Sequence, residues 1–268
     1  IDKLIILKKR KFSLHWFYLW RLIFFNYWDC VVDLRGTLIS FFLFAKTRKV
    51  YSSRSTLHKV EEISRLFSGR DLSPNICLNE NNVRNKNFLK LIQKTALNKK
   101  LVIVAPSANW IGKTWPIQNF CSLLKKLCKN TNFENSYFII VGPKNEKKSI
   151  DNLLKLKSLP IFDLVGKTDL AEIFLIMKKS KLFIGNDSGL MHLSALAGIP
   201  TVGLFGPSDS KRYHPWGKKT LAIKSPKSPN ELMGHKEFNP KKVNSLMKDL
   251  TVNYVFKELI KFYKTFYD

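Results

Sequence analysis

The second half of the chain alternates short apolar runs with longer runs of helical spacing. Runs of four or five apolar residues, typical of buried strands, are each followed by a segment whose apolar positions recur every three or four residues. The predicted strands are residues 101–105, 137–141, 161–164, 181–185, 201–205 and 221–224. The predicted helices are residues 116–129, 147–156, 170–178 and 190–197, with one or two more over 243–267. Strict alternation of strand and helix favours an α/β fold with a doubly wound parallel sheet.

The first 97 residues show the same kinds of pattern less regularly. They predict an aromatic amphipathic helix within 14–28, a buried strand, an apolar helix, a short strand and a further helix, the last four at residues 29–34, 37–46, 49–51 and 58–67. Residues 75–100 are polar and rich in Asn and Lys, with one helical patch at 88–97. This change in composition predicts two domains, residues 1–97 and residues 98–268.

Residues 181–205 predict a strand, a polar turn, a short buried helix and a second strand. Gly198 and Pro200 are typical of the end of that helix. A helix that begins at Ser188 and Gly189 presents free backbone N–H groups, a hydroxyl and the positive end of the helix dipole. At the carboxyl end of a parallel strand, where open α/β sheets bind ligands, this turn predicts an anion site and most naturally a phosphate site.

The loops after the other strands add candidate residues at the same edge of the sheet. Lys113 lies just before a helix and could reach a bound phosphate, and Glu146 could bind ribose hydroxyls. The backbone of residues 165–169 could contact an adenine. Each feature also has a structural interpretation: an exposed lysine, an acidic helix N-cap, and an N-cap at Thr168. The residues alone leave these alternatives open.

Asp187 and His192 are ambiguous for a different reason. A carboxylate at Asp187 would repel phosphate, so we expect it to bind sugar hydroxyls or the turn itself. His192 lies one turn into an apolar helix, where a core position and a substrate contact are equally open. The sequence contains neither a P-loop, a GxGxxG turn nor a DxD pair. We therefore expect no metal, and expect Lys113, Ser188 and the helix end to stabilise a leaving diphosphate.

The charge of the chain bears on its partners. The formal net charge is +26, which attracts nucleic acid, anionic lipid or phosphorylated glycans, unless it reflects only a lysine-rich composition. The aromatic run over 14–28 is too short and too interrupted to span a bilayer. Its aromatic residues predict a helix that packs in the core, with a helix on a membrane surface as the alternative. The four cysteines have no metal-ligand spacing and indicate reduced thiols in a cytoplasmic protein.

Three segments resemble the family-nine glycosyltransferases, the ADP-heptose:lipopolysaccharide heptosyltransferases. They are VVDLRG at 31–36, SANWIGKTWP at 107–116 and GNDSGLMHLSALAGIPTVGLFGPSD at 185–209, of which the last is the most specific. The resemblance implies a GT-B fold in which two Rossmann-like domains face each other across a cleft, the first of them incomplete here. It also implies an inverting, metal-independent transfer of heptose from ADP-heptose to the lipopolysaccharide inner core.

The resemblance implies roles for individual residues and partners. The implied donor-diphosphate contacts are Ser107, Ala108, Lys113, Ser188, Gly189 and Leu190. The implied ribose and adenine contacts are Glu146 and Thr168, and the implied donor-sugar residues are Asp187 and His192. No cofactor is implied beyond the nucleotide-sugar substrate. The implied partners are an anionic lipopolysaccharide-core acceptor and the cytoplasmic face of the inner membrane, and no nucleic acid.

One part of the family pattern is expected before the first residue of this sequence. The family's first strand ends in a loop that contains the acid proposed as general base, and this loop is expected upstream of Ile1. Asp33 lies on another strand, and its family counterpart is structural. We therefore expect an intact donor domain, impaired or absent catalysis by these residues, and an unprotected edge in the first sheet.

Two alternatives to an active enzyme remain at this stage. One is a non-catalytic remnant or partner subunit that keeps a nucleotide-sugar pocket. The other is a basic nucleic-acid-binding protein, although the sequence contains no helix-turn-helix, RRM or zinc pattern. That second alternative also leaves the turn at Asp187 unexplained.

Overall fold

The computed structural model describes residues 3–8, 11–52, 56–67, 73–78, 98–235 and 237–267. The chain forms two compact units, Ile1–Ser73 and Pro74–Asp268. The domain boundary between residues 97 and 98 stays a prediction, since residues 79–97 lie outside the described ranges. The helix predicted at 88–97 lies outside them as well.

The smaller unit is built around a parallel pair of strands. Strand β1 (Tyr27–Asp33) pairs with β2 (Phe44–Val50). Helix α1 (Leu14–Ile23) precedes β1, and helix α2 (Lys59–Ser64) follows β2 and continues into a 3-10 turn. The helices expected within 14–28 and over 58–67 are therefore confirmed, the first in a shorter form.

Other predictions for the smaller unit are wrong. Residues 37–46 do not form a helix, because a 3-10 turn at Leu38–Phe42 leads directly into β2, whose aromatic and β-branched residues favour an extended chain. Strand β1 is not buried, since all its residues are half-buried or exposed. Helix α1 is not a core helix, because none of its residues is buried in the described structure.

Asp33 ends β1 and organises the turn that follows. Its carboxylate accepts the N–H groups of Arg35, Gly36 and Thr37 and the Thr37 hydroxyl. Burial alone would raise the pKa of Asp33, but these hydrogen bonds outweigh it and lower the pKa. Gly36 adopts a φ of 66°, which favours glycine. These contacts support the structural role expected for Asp33.

The larger unit contains a six-stranded parallel sheet with the order β5-β4-β3-β6-β7-β8. Its strands are β3 (Lys100–Ala105), β4 (Ser136–Ile140), β5 (Ile161–Asp163), β6 (Leu182–Asn186), β7 (Thr201–Phe205) and β8 (Thr220–Lys224). The winding reverses at β3, which pairs with both β4 and β6. This topology confirms the doubly wound sheet and locates its switch point, where such sheets bind ligands.

Helices cover both faces of this sheet. They are α3 (Ile117–Cys128), α4 (Asp151–Leu154), α5 (Leu170–Lys178), α6 (Gly189–Leu196), α7 (Ser210–Tyr213), α8 (Pro229–Met233) and α9 (Val252–Tyr267). The predicted helix at 147–156 is instead a 3-10 segment, Lys144–Ile150, followed by the short α4. The short helices α7 and α8 were not predicted. Residues 243–251, expected to be helical, precede α9 without forming a helix.

Two apolar clusters bury the sheet. On one face, Trp115 and Phe120 are fully buried in the cluster that α3 and α9 complete. On the other, Phe183 and Met191 pack with residues of α5 and α6. Both faces of the sheet are covered, so a ligand cannot bind there. Ligands of open α/β sheets bind instead at the carboxyl ends of the strands, in the loops that follow them. No helix in the described ranges is long and apolar enough to cross a membrane.

Candidate functional site

A buried asparagine fixes the loop after β3 to the end of β6. Asn186 is completely buried, and its side-chain oxygen accepts the N–H of Trp115 at 3.0 Å. Its side-chain amide donates to the carbonyl of Pro106 at 2.8 Å. These two bonds join both ends of the loop 106–116 to the strand that precedes the polar turn. The loop conformation is therefore set by the protein itself.

The segment 240–250 holds the same loop from the other side. The indole N–H of Trp115 donates to the carbonyl of Leu250, and that of Trp110 donates to the carbonyl of Pro240, both at 2.8 Å. Within the loop, the carbonyl of Gly112 accepts the N–H of Leu246. Lys113, at the end of the 3-10 turn Ile111–Lys113, is therefore carried by an anchored backbone.

Lys113 and Asp187 form an ion pair across the switch point. The Lys113 Nζ lies 2.8 Å from the Asp187 Oδ2, and the side chains are 31% and 9% exposed. The pair joins the loop after β3 to the residue directly after β6. The sequence predicted Lys113 as a phosphate contact rather than as the partner of Asp187, and that contact stays a prediction. An ammonium group has three donors, so Lys113 can keep this bond and still bind a second oxygen.

The N-terminus of α6 is open next to this pair. Ser188 is its N-cap, but the Ser188 hydroxyl makes no capping bond; the oxygen is buried and has no hydrogen-bond partner. A Cβ added to Gly189 would have no atom within 4 Å. The first N–H groups of any helix, here those of Gly189 and Leu190, have no acceptor inside the helix. The arrangement therefore offers several donors and one ammonium group to an anion.

The loops after β3, β4 and β5 lie side by side. A Cβ on Gly142 would lie 3.1 Å from the Oγ of the buried Ser107, next to Ala108. Gly166 donates its N–H to the carbonyl of Gly142 at 2.9 Å, and a Cβ on Gly166 would collide with Lys144. The loops that contain the predicted diphosphate, ribose and adenine residues are thus neighbours at this edge.

The structure corrects two of the alternative interpretations. Thr168 is not an N-cap: Asp169 caps α5 and forms a capping box with Glu172. The Thr168 hydroxyl oxygen is instead buried without a partner. Glu146 is not an N-cap either, because Pro143 occupies that position of the 3-10 segment. Its half-exposed position leaves the predicted ribose contact as a prediction.

Asp163, at the end of β5, is used by the fold. Its carboxylate binds Lys147 at 2.6 Å and Lys167 at 3.0 Å, and it accepts the N–H of Val165. Burial alone would raise the pKa of Asp163, but these bonds outweigh it and lower the pKa. This carboxylate is therefore a structural acid that sequence reasoning did not single out.

Asn186 is the most important residue that sequence reasoning missed, since the pattern of turn residues places it in the turn, whereas the structure places it at the end of β6. The available signal was a polar residue at the end of an apolar strand, which needs internal hydrogen-bond partners when it is buried. His192 is half-buried one turn into α6, and its role stays a prediction. Among the described residues, no group of three or more His, Cys, Asp or Glu could hold a metal ion.

The family comparison agrees with the motifs. The model of glycosyltransferase family 9 (heptosyltransferase) matches residues 33–242, well over half of the chain. Lipopolysaccharide heptosyltransferase 3 of Escherichia coli is 24% identical over 140 residues, which cover 51% of this chain and 40% of the relative. The alignment therefore spans less than half of that relative's own length.

Two solved structures share the fold. The family 9 glycosyl transferase from Veillonella parvula DSM 2008 superposes with a TM-score of 0.71 at 16% identity, covering 99% of this chain and 83% of its own. The E. coli ADP-heptose lps heptosyltransferase II superposes with a TM-score of 0.67 at 18% identity, covering 95% and 81%. These likenesses confirm the α/β fold with parallel sheets expected for a GT-B-type protein. The match of the family model over residues 33–242 places the chain in glycosyltransferase family 9, the heptosyltransferase family.

Proposed function

We propose that this chain is a heptosyltransferase of lipopolysaccharide core synthesis whose larger unit binds ADP-heptose. The observation that carries the proposal is the Lys113–Asp187 ion pair, 2.8 Å long, directly before the open N-terminus of α6. Its ammonium group and helix end suit a diphosphate, and the adjacent carboxylate suits the hydroxyls of a sugar. ADP-heptose contains both groups next to each other.

The proposed reaction is a single displacement with inversion at the anomeric carbon. The acceptor hydroxyl oxygen forms a bond to that carbon, the bond from the carbon to the ADP oxygen breaks, and the hydroxyl proton passes to a general base. The negative charge that develops on ADP is stabilised by Lys113, by the Ser188 hydroxyl and by the N–H groups of Gly189 and Leu190. We propose that no metal or cofactor takes part in this stabilisation.

The remaining site residues are assigned by their place at the same sheet edge. Ser107 and Ala108 lie on the phosphate side of the anchored loop. Glu146 binds the ribose hydroxyls, and Thr168, whose buried hydroxyl lacks a partner, lies by the adenine. Asp187 and His192 lie by the heptose. The adenine preference rests on the family resemblance, because each nucleobase presents polar edges that such loops can bind.

Binding of ADP tests the donor site directly. A ligand that binds only the folded protein raises its melting temperature, so we expect a larger rise with ADP than with UDP or GDP. Lys113→Gln should weaken ADP binding about ten- to one-hundred-fold, because it removes a charged hydrogen bond. The rise should be the same with and without EDTA.

Lys218→Gln is the matched control for this experiment. Lys218 is exposed in the loop before β8, at the opposite edge of the sheet, and the substitution removes the same charge. Its ADP affinity should equal that of the unaltered chain. Equal weakening by the two substitutions, or the absence of any stabilisation by ADP and ADP-heptose, would contradict the proposed donor site.

We further propose that the smaller unit binds the cytoplasmic face of the inner membrane, where the anionic lipid acceptor lies. Trp16, Phe17, Trp20, Ile39 and Phe42 line an apolar hollow of about 350 Å³. Phe17 and Phe42 are 61% and 64% exposed. Exposed aromatic side chains on a strongly basic chain suit the headgroup region of an anionic bilayer.

Sedimentation with lipid vesicles tests this surface. We expect binding to vesicles that contain phosphatidylglycerol and little binding to pure phosphatidylcholine. The double substitution of Phe17 and Phe42 by Ser should weaken binding about ten-fold or more, because it removes two large apolar groups. Leu170→Ser, at a residue of the larger unit that is 66% exposed, serves as control. Preferential binding of duplex DNA in a salt-dependent gel shift would contradict the assignment of the charge to lipid.

A further inference from the structure

A second cavity lies at the carboxyl ends of β7 and β8, wholly within the larger unit. Its volume is about 700 Å³, within the usual range for small-molecule sites. Phe205 and Gly206 lie on the β7 side, Lys224 ends β8 and Ser225 follows it, and Tyr254 belongs to α9. None of the residues assigned to the donor site lines this cavity.

Two buried hydroxyls in this cavity lack partners. Ser225 is 8% exposed, and its Oγ has no hydrogen-bond partner. The Oγ of Ser208, in the loop after β7, is likewise buried and without a partner. A buried hydroxyl left unpaired costs folding free energy, and natural structures contain few of them. Two such groups on the lining of one cavity point to a polar ligand.

The lining of the cavity carries three acids and three lysines, and the acids are hydrogen-bonded or ion-paired within the protein. Asp209 accepts the backbone N–H of Lys211, Glu231 accepts the backbone N–H of Ser228, and Asp249 forms an ion pair with Lys227 at 2.7 Å. Each of the three acids therefore has a hydrogen-bond or ion-pair partner within the protein.

Two lysines on the same lining are not engaged in this way. In the described part of the chain, neither Lys211 nor Lys224 has an acidic partner, and both are exposed. Their ammonium groups can therefore donate to a ligand, and a carboxylate or phosphate is the acceptor that an ammonium group binds most strongly. The ring of Tyr254, which is 49% exposed, adds an amphipathic surface to the wall.

We propose that this cavity is a binding site for an anionic saccharide, separate from the donor site. Lys211 and Lys224 bind its carboxylate or phosphate, Ser208 and Ser225 bind its hydroxyls, and Tyr254 packs against its ring. The inference does not rest on the proposed donor site, since it uses other residues.

Calorimetric titration with three small probes tests the site. Glucuronate and glucose 6-phosphate should bind at least about ten-fold more tightly than glucose, because only they carry the charge. The double variant Lys211→Gln, Lys224→Gln should lose about ten-fold in affinity for both acidic probes. Ser225→Ala should lose about three-fold and keep its stability, because its hydroxyl makes no bond in the protein. Lys218→Gln should bind all probes unchanged.

The inference would be overturned by equal binding of glucose and the acidic probes, by the absence of binding of any probe, or by an equal loss of affinity in Lys218→Gln. A loss of acidic-probe binding in Lys113→Gln would also overturn it, since the probe would then occupy the donor site. ADP titrated into the same variants separates the two proposals. Acidic probes that bind while ADP does not would leave this site supported and the donor site refuted.

A larger probe distinguishes two possible ligands, the acceptor glycan and a free acidic sugar. Deacylated lipopolysaccharide-core oligosaccharide that binds, and that the double lysine variant binds less tightly, assigns the acceptor glycan to the cavity. Binding confined to the two acidic monosaccharides assigns a free sugar acid or sugar phosphate instead. Both results support the site.

Discussion

Polar groups at the same edge of the sheet are of two kinds: some are hydrogen-bonded within the protein, and others are buried without a partner. At the ends of β5 and β6, Asp163 and Asn186 have their side chains fully engaged by backbone groups and lysines. A few residues further on, the hydroxyls of Thr168 and Ser188 are buried without a partner, and the helix end at Gly189 is open. The engaged groups build the site, whereas the unengaged groups are the ones available to a ligand.

The largest expected effect comes from removing an engaged group. Asn186→Ala should lower the free energy of unfolding by about 3 kcal/mol, because it leaves the Trp115 N–H and the Pro106 carbonyl unpaired and buried. Urea denaturation measures the change. The control is Asn130→Ala, which removes one bond in a surface turn and should cost less than about 1 kcal/mol. Equal costs for the two variants would contradict the anchoring role of Asn186.

A pair of glycines separates ligand binding from folding. Gly189→Ala should leave stability unchanged and weaken ADP binding about ten-fold, because the added methyl group would occupy the open helix end where we place the phosphate. Gly198→Ala should do the reverse: its φ of 78° makes alanine cost about 1 kcal/mol, with no change in ADP affinity. Thermal unfolding with and without ADP measures both. ADP binding that is unchanged in Gly189→Ala would refute the assignment of the helix end.

The neighbouring residues Thr168 and Asp169 should behave as a similar pair. Thr168→Val keeps the shape and removes an unpaired hydroxyl, so stability should stay equal or rise by up to about 1 kcal/mol while ADP affinity falls. Asp169→Ala breaks the capping box of α5 and should cost about 1 kcal/mol without affecting ADP. Destabilisation by Thr168→Val would show that its hydroxyl is structural.

The smallest expected effect is the contribution of Asp163 to stability at acidic pH. Its pKa lies below the ordinary value of 3.8, so its contribution to stability is fully present above that pH and is lost as the pH falls through the lowered value. Asp163→Asn should reduce stability at pH 5 by less than about 1 kcal/mol and make the loss between pH 5 and pH 3 shallower. Urea unfolding at both pH values measures this. Asp151→Asn, in an exposed ion pair, is the control and should leave the stability at pH 5 nearly unchanged.

The sequence predicted the larger unit well because its signals are local. Apolar runs bounded by Gly198 and Pro200 define α6 and β7, and α5 occupies the predicted residues 170–178 in the structure. The smaller unit was harder to predict, since residues 37–46 are mostly apolar and their polar positions, Thr37, Ser40 and Lys46, show no clear period. For such a run, strand and helix differ only in contacts with distant residues, here the pairing of β2 with β1.

The sequence pointed to candidate site residues, whose roles stay predictions, but not to the contacts between them. The motifs located Lys113, Asp187 and Ser188, whereas the ion pair between the first two depends on how the loop after β3 folds back. That path is fixed by the contacts of Trp115 with Asn186 and with Leu250, which are far from it along the chain. A local sequence pattern does not predict such contacts. The cavity at Ser225 escaped sequence reasoning for the same reason, because its lining comes from three separate segments, 205–211, 224–231 and 249–254.

The bonds from the segment 240–250 to the loop 106–116 have a practical consequence for engineering. A minimal donor-binding module cut after β8 would retain every strand and every predicted contact residue, but it would lose the acceptors at Pro240 and Leu250. Transplanting the lysine loop into another scaffold would meet the same difficulty. Any shortened version should therefore keep residues 240–250 if the amine of Lys113 is to stay in the position that it has here.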